Sequence, residues 1–197
     1  MGLFPIFMKL DCVPCLVVGG GTVAERKVKG LLNAAAHVTV IAPEATQELQ
    51  SLAISRRISW LKKSYRSGDI EGYRLAIAAT DSREINRLVY EEAMECGVLL
   101  NSVDDPEHSS FFVPAVARKG SLILAISTSG TAPYLARRLR EYLESKLYGG
   151  LERDLARAQA VRARILDRNT NTGDRREVLE HELQSLVSEI INKIETS

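Results

Sequence analysis

The sequence is poor in cysteine and histidine, which limits the chemistry that its fold can hold. It has 197 residues, of which 3 are cysteines and 3 are histidines. A small and odd number of cysteines predicts no disulfide framework and is typical of a reducing compartment. The cysteines and histidines are not clustered at the spacing of metal ligands, so we expect no resident metal ion.

The sequence also lacks an excess of positive or negative charge, and it lacks long apolar runs. Lys and Arg number 26 and Asp and Glu number 25, which gives a formal net charge of +1. This balance does not attract nucleic acid or an anionic membrane surface, so we expect neither as a partner. No stretch approaches the roughly 20 apolar residues of a membrane span, and no signal-type apolar run opens the sequence. We therefore expect a folded cytoplasmic protein.

The clearest motif is a glycine loop between an apolar run and a helical pattern, in the sequence CLVVGGGTVAERK of residues 15–27. It fits the dinucleotide fingerprint G-x-G-x-x-G/A: Gly19 forms the turn, Gly21 lets the backbone approach a pyrophosphate, and Ala24 packs the helix on the strand. The start of that helix offers free N–H groups and a positive dipole end to phosphate. The cofactor-binding residues expected from the loop are Gly19, Gly21, Thr22, Val23 and Ala24.

The second strand of the motif, predicted over 37–42, ends at Pro43 and Glu44. Rossmann-type domains often place an acid here to bind the adenosine ribose, so both residues are candidates for cofactor contact. Glu44 fits equally well in the first turn of a helix predicted over 44–54. No arginine stands here to bind a 2′-phosphate, which favours NAD over NADP.

A third apolar run, at 75–79, is typical of a strand that is buried on both faces of a parallel sheet. It ends at Thr80 and Asp81. Because ligands bind beyond the carboxyl ends of strands in open α/β sheets, we expect both residues to border the same crevice as the glycine loop. As a single residue, Asp81 fits better as the cap of a helix predicted over 82–95. The next strand, at 98–102, leads into a loop that contains Asp104.

The remaining patterns depart from this alternation. A short strand is predicted at 5–10, and two strands at 111–116 and 121–127 form a hairpin. A hydroxyl-rich loop at 127–133 precedes a helix, and two further helices follow from 151 onward. The predicted fold is α/β: a Rossmann-type parallel-sheet domain, a small α+β region and a C-terminal helical tail. The corresponding domains are residues 1–113, 114–147 and 148–197.

Cys12 and Cys15 form a C-x-x-C pattern that could indicate redox chemistry. Redox pairs gain their low thiol pKa at a helix N-terminus, whereas this pair precedes a strand and encloses a proline. We therefore expect the two cysteines to be small buried hydrophobic residues.

Five stretches together resemble a known family, the precorrin-2 dehydrogenase module of siroheme synthase. They are residues 4–7 (FPIF), 18–27 (VGGGTVAERK), 75–81 (LAIAATD), 101–106 (NSVDDP) and 127–133 (STSGTAP). In order and at appropriate separations they cover residues 1 to about 147. Multifunctional siroheme synthases fuse this module to a methyltransferase, for which 197 residues leave no room. The resemblance is therefore to the stand-alone form.

The resemblance implies an NAD-dependent oxidoreductase that converts precorrin-2 to sirohydrochlorin in siroheme and porphyrin biosynthesis. In some members the module is also a ferrochelatase, a lyase that inserts Fe²⁺ as a substrate, and whether this chain shares that activity stays open. The resemblance further implies a homodimer, in which residues 114–147 are a dimerisation region that helps to build a shared cleft. Dimerisation would cover an apolar strand edge and a helical face.

Asp104 matches the family's catalytic aspartate, which implies the base that accepts the proton lost in the oxidation and pyrrole protons in metal insertion. From the residues alone, a turn-forming role before Asp105 and Pro106 is nearly as well supported. His108, in the same loop, is a weaker candidate for an acid or a metal ligand.

The hydroxyl-rich loop is suited to receive carboxylates of the substrate, because it lies at the start of a helix. The substrate-binding residues expected there are Ser127, Thr128, Ser129, Gly130 and Thr131. Thr128 stands where we associate a serine with the fused enzymes, and it keeps the hydroxyl. Basic residues that could add positive charge are Arg118, Lys119, Arg137, Arg138 and Arg140.

Two other functions are compatible with the glycine loop. A module that binds NAD only to sense redox state would use residues 127–197 for a partner and would not need Asp104. An unrelated small-molecule dehydrogenase would not need a cleft large enough for a tetrapyrrole. Turnover of precorrin-2 with NAD distinguishes these alternatives from the favoured function.

Overall fold

The computed structural model describes residues 2–167 and 172–196. The chain divides into two compact units, residues 1–113 and 114–197. The first is an α/β unit with a parallel sheet, and the second combines a hairpin with helices. The predicted fold class is confirmed. The assignment of 114–147 to dimerisation and of 148–197 to a separate helical domain stays a prediction.

Strands and helices alternate in the first unit. In chain order they are β1 (Pro14–Val18), α1 (Thr22–Leu32), β2 (His37–Ile41), α2 (Gln47–Ile54), β3 (Ser59–Leu61), β4 (Leu75–Ala78), α3 (Arg83–Cys96) and β5 (Leu99–Ser102). The sheet has the order β3-β2-β1-β4-β5, and all neighbouring strands are parallel. The strand order therefore reverses between β1 and β4, which is where open α/β sheets bind their ligands.

β1 lies in the middle of the sheet and is buried on both faces. Cys15 and Val17 belong to the core on one face, which includes residues of α1 and α2. Leu16 and Val18 belong to the core on the other face, which includes residues of α3. Because side chains alternate between the two faces of a strand, a central strand needs an apolar residue at every position. This explains the unbroken apolar run before the glycine loop.

Two helices of the first unit begin at a side-chain cap, and one does not. Thr46 Oγ1 accepts a hydrogen bond from the N–H of Leu49 at the start of α2, and Ser82 Oγ accepts one from Ile85 at the start of α3, each at 3.3 Å. α1 begins after Gly21 without a side-chain cap. Its first N–H groups are therefore left for another acceptor.

The segment before β1 differs from the prediction. Residues 2–10 form neither strand nor helix, so the strand predicted at 5–10 is wrong. Both edges of β1 are already paired, with β2 and β4. Phe4 and Phe7 are 86% and 69% exposed. The apolar side chains of this segment therefore do not pack against the core of the described chain.

The second unit begins with an antiparallel hairpin. Its elements are β6 (Ala115–Lys119), β7 (Leu122–Ile126), α4 (Pro133–Ser145), α5 (Leu151–Asp167) and α6 (Thr172–Thr196). The hairpin is confirmed, but its first strand begins at Ala115 rather than 111, because Phe111 is bonded to the end of the first unit's sheet. Within the described residues, no helix combines the length and apolar character that crossing a bilayer requires.

α5 and α6 are joined by a buried carboxylate. Asp154 is 4% exposed and accepts hydrogen bonds from the hydroxyl of Tyr148 at 2.7 Å, from Nζ of Lys193 at 2.9 Å and from Arg157 at 3.0 Å. A buried carboxylate is tolerated when donors surround it in this way. These bonds connect the start of α5 to the end of α6.

Candidate active site

The loops that carry most candidate residues leave the sheet along one edge. The last residues of β1, β2, β4 and β5 lie in register with their neighbours; they are Val18, Ile41, Ala78 and Ser102. The pairing continues one residue further, since Ala79 donates its N–H to Val18 at 2.8 Å and Gly19 donates to Ile41 at 2.9 Å. The glycine loop and the loops after β2, β4 and β5 therefore begin side by side.

The three glycines meet different surroundings. A Cβ on Gly19 would overlap the carbonyl oxygen of Ala79, and Gly19 has a φ of 126°, which favours glycine. A Cβ on Gly20 would overlap the carbonyl oxygen of Glu44. A Cβ on Gly21 would meet nothing within 4 Å. The first two glycines are required by packing, whereas Gly21 borders open space at the uncapped start of α1.

Pro43 and Glu44 follow β2 and are exposed. α2 begins at Gln47, and the acid in its first turn is Glu48, so the alternative that Glu44 is a first-turn residue is wrong. Thr46 is the residue that caps this helix, and its hydroxyl also donates to Glu25 of α1 at 2.9 Å. The role of Pro43 and Glu44 in cofactor contact stays a prediction.

Thr80 and Asp81 follow β4. Ser82 is the N-cap of α3, so the alternative that Asp81 caps this helix is wrong. Thr80 instead organises the turn, because its hydroxyl donates to Asn86 Oδ1 at 2.8 Å and its carbonyl accepts from Asn86 Nδ2 at 2.9 Å. Asp81 is exposed beside this turn.

Asp104 lies in the turn after β5 with a φ of 58°, a left-handed conformation that a non-glycine residue rarely adopts. It is exposed, and among the described residues its carboxylate takes part in no hydrogen bond or ion pair. The side-chain contacts of this turn belong to Asp105, which accepts from the N–H of His108 at 3.3 Å and pairs with its Nδ1 at 2.7 Å. The Asp104 carboxylate is therefore available to a ligand.

His108 is fixed by two neighbours. Besides its bond to Asp105, the imidazole makes an edge contact with the ring of Tyr90, at 4.6 Å between centroids. In the part of the chain that the structure describes, no three His, Cys, Asp or Glu side chains lie together as a metal site would require.

The loop after β5 is held against that strand by serine side chains. Ser109 Oγ accepts from the N–H of Ser102 at 2.9 Å, and Ser110 Oγ accepts from the N–H of Leu100 at 2.7 Å. These bonds satisfy donors on the outer edge of β5, which has no further strand beside it in the sheet. The position of Asp104 is thus set by a loop that is fixed at both ends.

The hydroxyl-rich loop of the second unit is organised mostly by its own side chains. Ser127 Oγ accepts from the N–H of Ser129, and Thr128 Oγ1 accepts from the N–H of Ala132, each at 3.1 Å. Thr131 Oγ1 donates to the carbonyl of Thr128 at 2.6 Å. Ser129 and Gly130 follow one another with positive φ values of 54° and 82°. The loop is therefore compact, and it ends directly at the start of α4.

The arginines of α4 are engaged on their own helix. Arg138 pairs with Glu141 at 2.7 Å, Arg137 pairs with Glu141 at 3.7 Å, and Arg140 pairs with Glu141 and Glu144. Such exposed pairs contribute at most about 1 kcal/mol each. A substrate carboxylate would therefore compete with glutamates for these guanidinium groups.

The two neighbouring cysteines do not form a redox pair. Cys15 is fully buried in β1, and burial raises its pKa to about 11, the opposite of thiolate activation. Cys12 is exposed, so the expectation that both are buried is wrong for this residue. Cys12 precedes the strand at a turn, where its φ is 57°.

A family model described as "Putative NAD(P)-binding" matches residues 6–115. The chain belongs to this NAD(P)-binding family. The match spans the parallel sheet and all the loops at its carboxyl edge. It confirms that the expected cofactor is a nicotinamide dinucleotide, which the family description gives as NAD(P).

Two further comparisons extend beyond the NAD(P)-binding unit. Siroheme synthase 1 of Aeromonas salmonicida is 45% identical over 185 residues, which are 94% of this chain and 40% of that protein. Siroheme synthase 3 of Aeromonas hydrophila is 46% identical over 176 residues, 89% of this chain and 38% of that protein. The chain thus spans about two fifths of the length of these relatives. The resemblance noted from the motifs is confirmed.

Solved structures are similar to the chain as well, and one of them matches it over nearly its full length. It is SirC, a precorrin-2 dehydrogenase, with a TM-score of 0.79 and 26% sequence identity, and the match covers 99% of this chain and 100% of that one. The hairpin and the helices of the second unit are therefore part of the shared architecture, together with the NAD(P)-binding unit.

The residues at the sheet edge fit the pyrophosphate of NAD(P). Gly21 leaves open space, α1 presents N–H groups that no side chain caps, and the dipole of α1 favours an anion at that end. Gly20 was not among the predicted site residues, although three consecutive glycines signalled it. The hydrogen bond from Nζ of Lys27 on α1 to Asn101 Oδ1 of β5, at 3.2 Å, was not predicted either, although a lysine within the apolar spacing of α1 was a signal for it.

Proposed function

We propose that this chain oxidises precorrin-2 to sirohydrochlorin with NAD⁺ in siroheme biosynthesis. The observation that carries the proposal is the similarity to SirC, a precorrin-2 dehydrogenase, over 99% of this chain. The oxidation removes one hydride and one proton from the macrocycle, and NAD⁺, when bound, accepts the hydride. The products are sirohydrochlorin, NADH and a proton.

Within this proposal each candidate residue has a defined task. Gly19, Gly21, Thr22, Val23 and Ala24 hold the pyrophosphate, while Pro43, Glu44, Thr80 and Asp81 border the rest of the dinucleotide. Asp104 is the base, and a carboxylate oxygen accepts the proton that leaves the macrocycle. Two features support this role: the carboxylate is free of internal bonds, and the loop that carries it starts at the same sheet edge as the glycine loop, next to the loop after β4.

The substrate carries many carboxylates, which need hydrogen-bond donors and positive charge. We assign their binding to Ser127, Thr128, Ser129, Gly130 and Thr131 at the start of α4. The positive end of the α4 dipole and the hydroxyls of the loop support this assignment. The proposal includes a second activity, the insertion of Fe²⁺ into sirohydrochlorin. In that reaction iron is a substrate and Asp104 accepts the pyrrole protons.

We further propose that the protein acts as a homodimer in the cytoplasm. The hairpin of β6 and β7 has two open edges in the described chain, and open edges are normally covered. α4 also exposes large apolar side chains. They are Tyr134, Leu135, Leu139, Tyr142 and Leu143. A second copy would cover both features.

The test is anaerobic incubation of the protein with precorrin-2 and NAD⁺, monitored by the absorbance of NADH and of the macrocycle. We expect sirohydrochlorin to form only when NAD⁺ is present. Fe²⁺ or Co²⁺ is then added to test for metal insertion. NAD⁺ binding without any oxidation of precorrin-2 would contradict the proposal and support a redox-sensing module.

A further inference from the structure

Lys27 is an unusual residue on the buried side of the nucleotide-binding helix. It lies on α1 between Ala24 and Val28, both of which are fully buried, and is itself half-buried. Its Nζ donates to Asn101 Oδ1 of β5 at 3.2 Å. The Lys27 side chain therefore reaches from α1 to the strand that precedes Asp104.

The ammonium of Lys27 is incompletely compensated. Asn101 is a neutral partner, and no carboxylate of the described residues lies within ion-pair distance of Lys27. On the same helix, Lys29 shows the ordinary arrangement, because it is exposed and pairs with Glu25 at 2.7 Å. Removing an ammonium from water is costly unless its charge is paired. The retained charge of Lys27 thus calls for a function.

Asn101 connects Lys27 to the far end of the Asp104 loop. It is 6% exposed, and its Nδ2 donates to the carbonyl of Phe111 at 3.1 Å. The loop that begins after Ser102 and ends at Phe111 is therefore fixed to the same amide that holds the lysine. Lys27 is thereby linked through Asn101 to the loop that carries Asp104.

Two nearby charges act on Lys27, and the acidic one is Asp104. Burial lowers the pKa of Lys27, the nearby charge of Arg26 also lowers it, and Asp104 acts in the opposite direction. The two side chains form no ion pair, but Asp104 follows Asn101 by three residues, in the loop whose far end this amide holds.

We propose that Lys27 is a positioning residue for Asp104: its ammonium, fixed by Asn101, orients the carboxylate on the loop that the same amide holds. The inference rests on the proposed role of Asp104 as the base. A carboxylate in an exposed turn has several rotamers, and a fixed positive charge on one side favours those that lie toward it. Lys27 thereby links the helix that binds the cofactor to the group that removes the proton.

Four variants test this inference in the intact protein. Lys27→Met removes the charge at similar length, Lys27→Arg keeps it, Lys29→Met is the matched control on the same helix, and Asp104→Asn removes the partner. We expect Lys27→Met to lower kcat about tenfold, equivalent to 1.4 kcal/mol, with little change in KM for NAD⁺. Lys27→Arg should recover most of kcat, and Lys29→Met should leave it unchanged.

A double-mutant cycle shows whether the effect passes through Asp104. Lys27→Met should cost little further activity in the Asp104→Asn background, because the partner charge is already absent. Equal losses in both backgrounds would overturn the inference and indicate a general packing defect. Failure of Lys27→Arg to recover kcat would also count against a role of the charge.

A measurement without substrate separates this inference from the proposed function. The pKa of Lys27, followed by NMR of its side chain, should be lower in Asp104→Asn than in the unaltered protein. If precorrin-2 is not oxidised but this shift is present, the proposed function is wrong and the electrostatic link stands. If oxidation occurs and the shift is absent, the link itself is wrong.

Discussion

The carboxylate of Asp105 holds His108 by two hydrogen bonds, at 3.3 Å to its N–H and at 2.7 Å to Nδ1. Asp105 therefore performs the structural task in the turn after β5. The neighbouring Asp104 contributes a left-handed backbone conformation, with a φ of 58°, and leaves its carboxylate free. Two adjacent aspartates thus separate into a structural residue and the proposed base, and their substitution should separate stability from activity.

Asp104→Gly should lower the rate of precorrin-2 oxidation about a hundredfold or more, with measurable activity remaining, and leave the protein folded. Glycine adopts positive φ without strain, so the free energy of unfolding should change by no more than about 1 kcal/mol. Asp105→Ala should instead lower the free energy of unfolding by roughly 1 kcal/mol through the lost hydrogen bonds. The measurements are denaturant unfolding and the rate of NADH formation. Undiminished turnover in Asp104→Gly would remove Asp104 from the mechanism.

In the glycine loop, Gly20 is expected to affect stability and Gly21 to affect cofactor binding. Gly20→Ala should lower the free energy of unfolding by at least about 2 kcal/mol, because its Cβ overlaps the carbonyl oxygen of Glu44. Gly21→Asp should leave stability nearly unchanged and weaken NAD⁺ binding, because a negative side chain enters the space for pyrophosphate. Gly30→Ala, an open position within α1, is the control and should not reduce binding. Strong NAD⁺ binding by Gly21→Asp would show that the cofactor lies elsewhere.

Much of the first unit could be predicted from the sequence because its signals are local. The apolar run of β1, the glycines after it and the helical spacing in α1 each follow from neighbouring residues. The cap of α3 was assigned to Asp81 instead of Ser82, since both residue types cap helices equally well. Contacts between distant segments carried no such signal. The bond between Lys27 and Asn101 depends on how α1 packs against β5, and the tight contact at Gly20 depends on how two loops meet at the sheet edge.

The exposed apolar face of α4 predicts the behaviour of the protein in solution. Leu139→Glu places a charge within this face and should convert a dimer to a monomer at micromolar concentration, as measured by light scattering or sedimentation. Met94→Glu is the matched control, because Met94 is a 61% exposed apolar residue on α3, outside this face. A monomer before any substitution would contradict the homodimer proposal. Dissociation by both variants would indicate a general effect of added charge.

Asp154 predicts how the second unit responds to acid. Hydrogen bonds from Tyr148 and Lys193, with a further one from Arg157, outweigh the opposing effect of burial and lower the pKa of Asp154 from its ordinary 3.8 to about 2. A lowered pKa in the folded state means that the ionised group stabilises the fold above its unfolded pKa. This stabilisation is complete above about pH 4 and should disappear as the pH falls toward 2.

The measurement is the thermal unfolding of helical structure, followed by circular dichroism between pH 6 and pH 2. The unaltered protein should lose more stability over this range than Asp154→Asn, which has no carboxylate to protonate. Asp154→Asn should also be less stable at neutral pH, because Arg157 and Lys193 lose the negative charge of this partner. Glu152→Gln, an exposed position on the same helix, should follow the unaltered protein. Parallel pH profiles for the unaltered protein and Asp154→Asn would show that the contacts between α5 and α6 do not depend on this carboxylate.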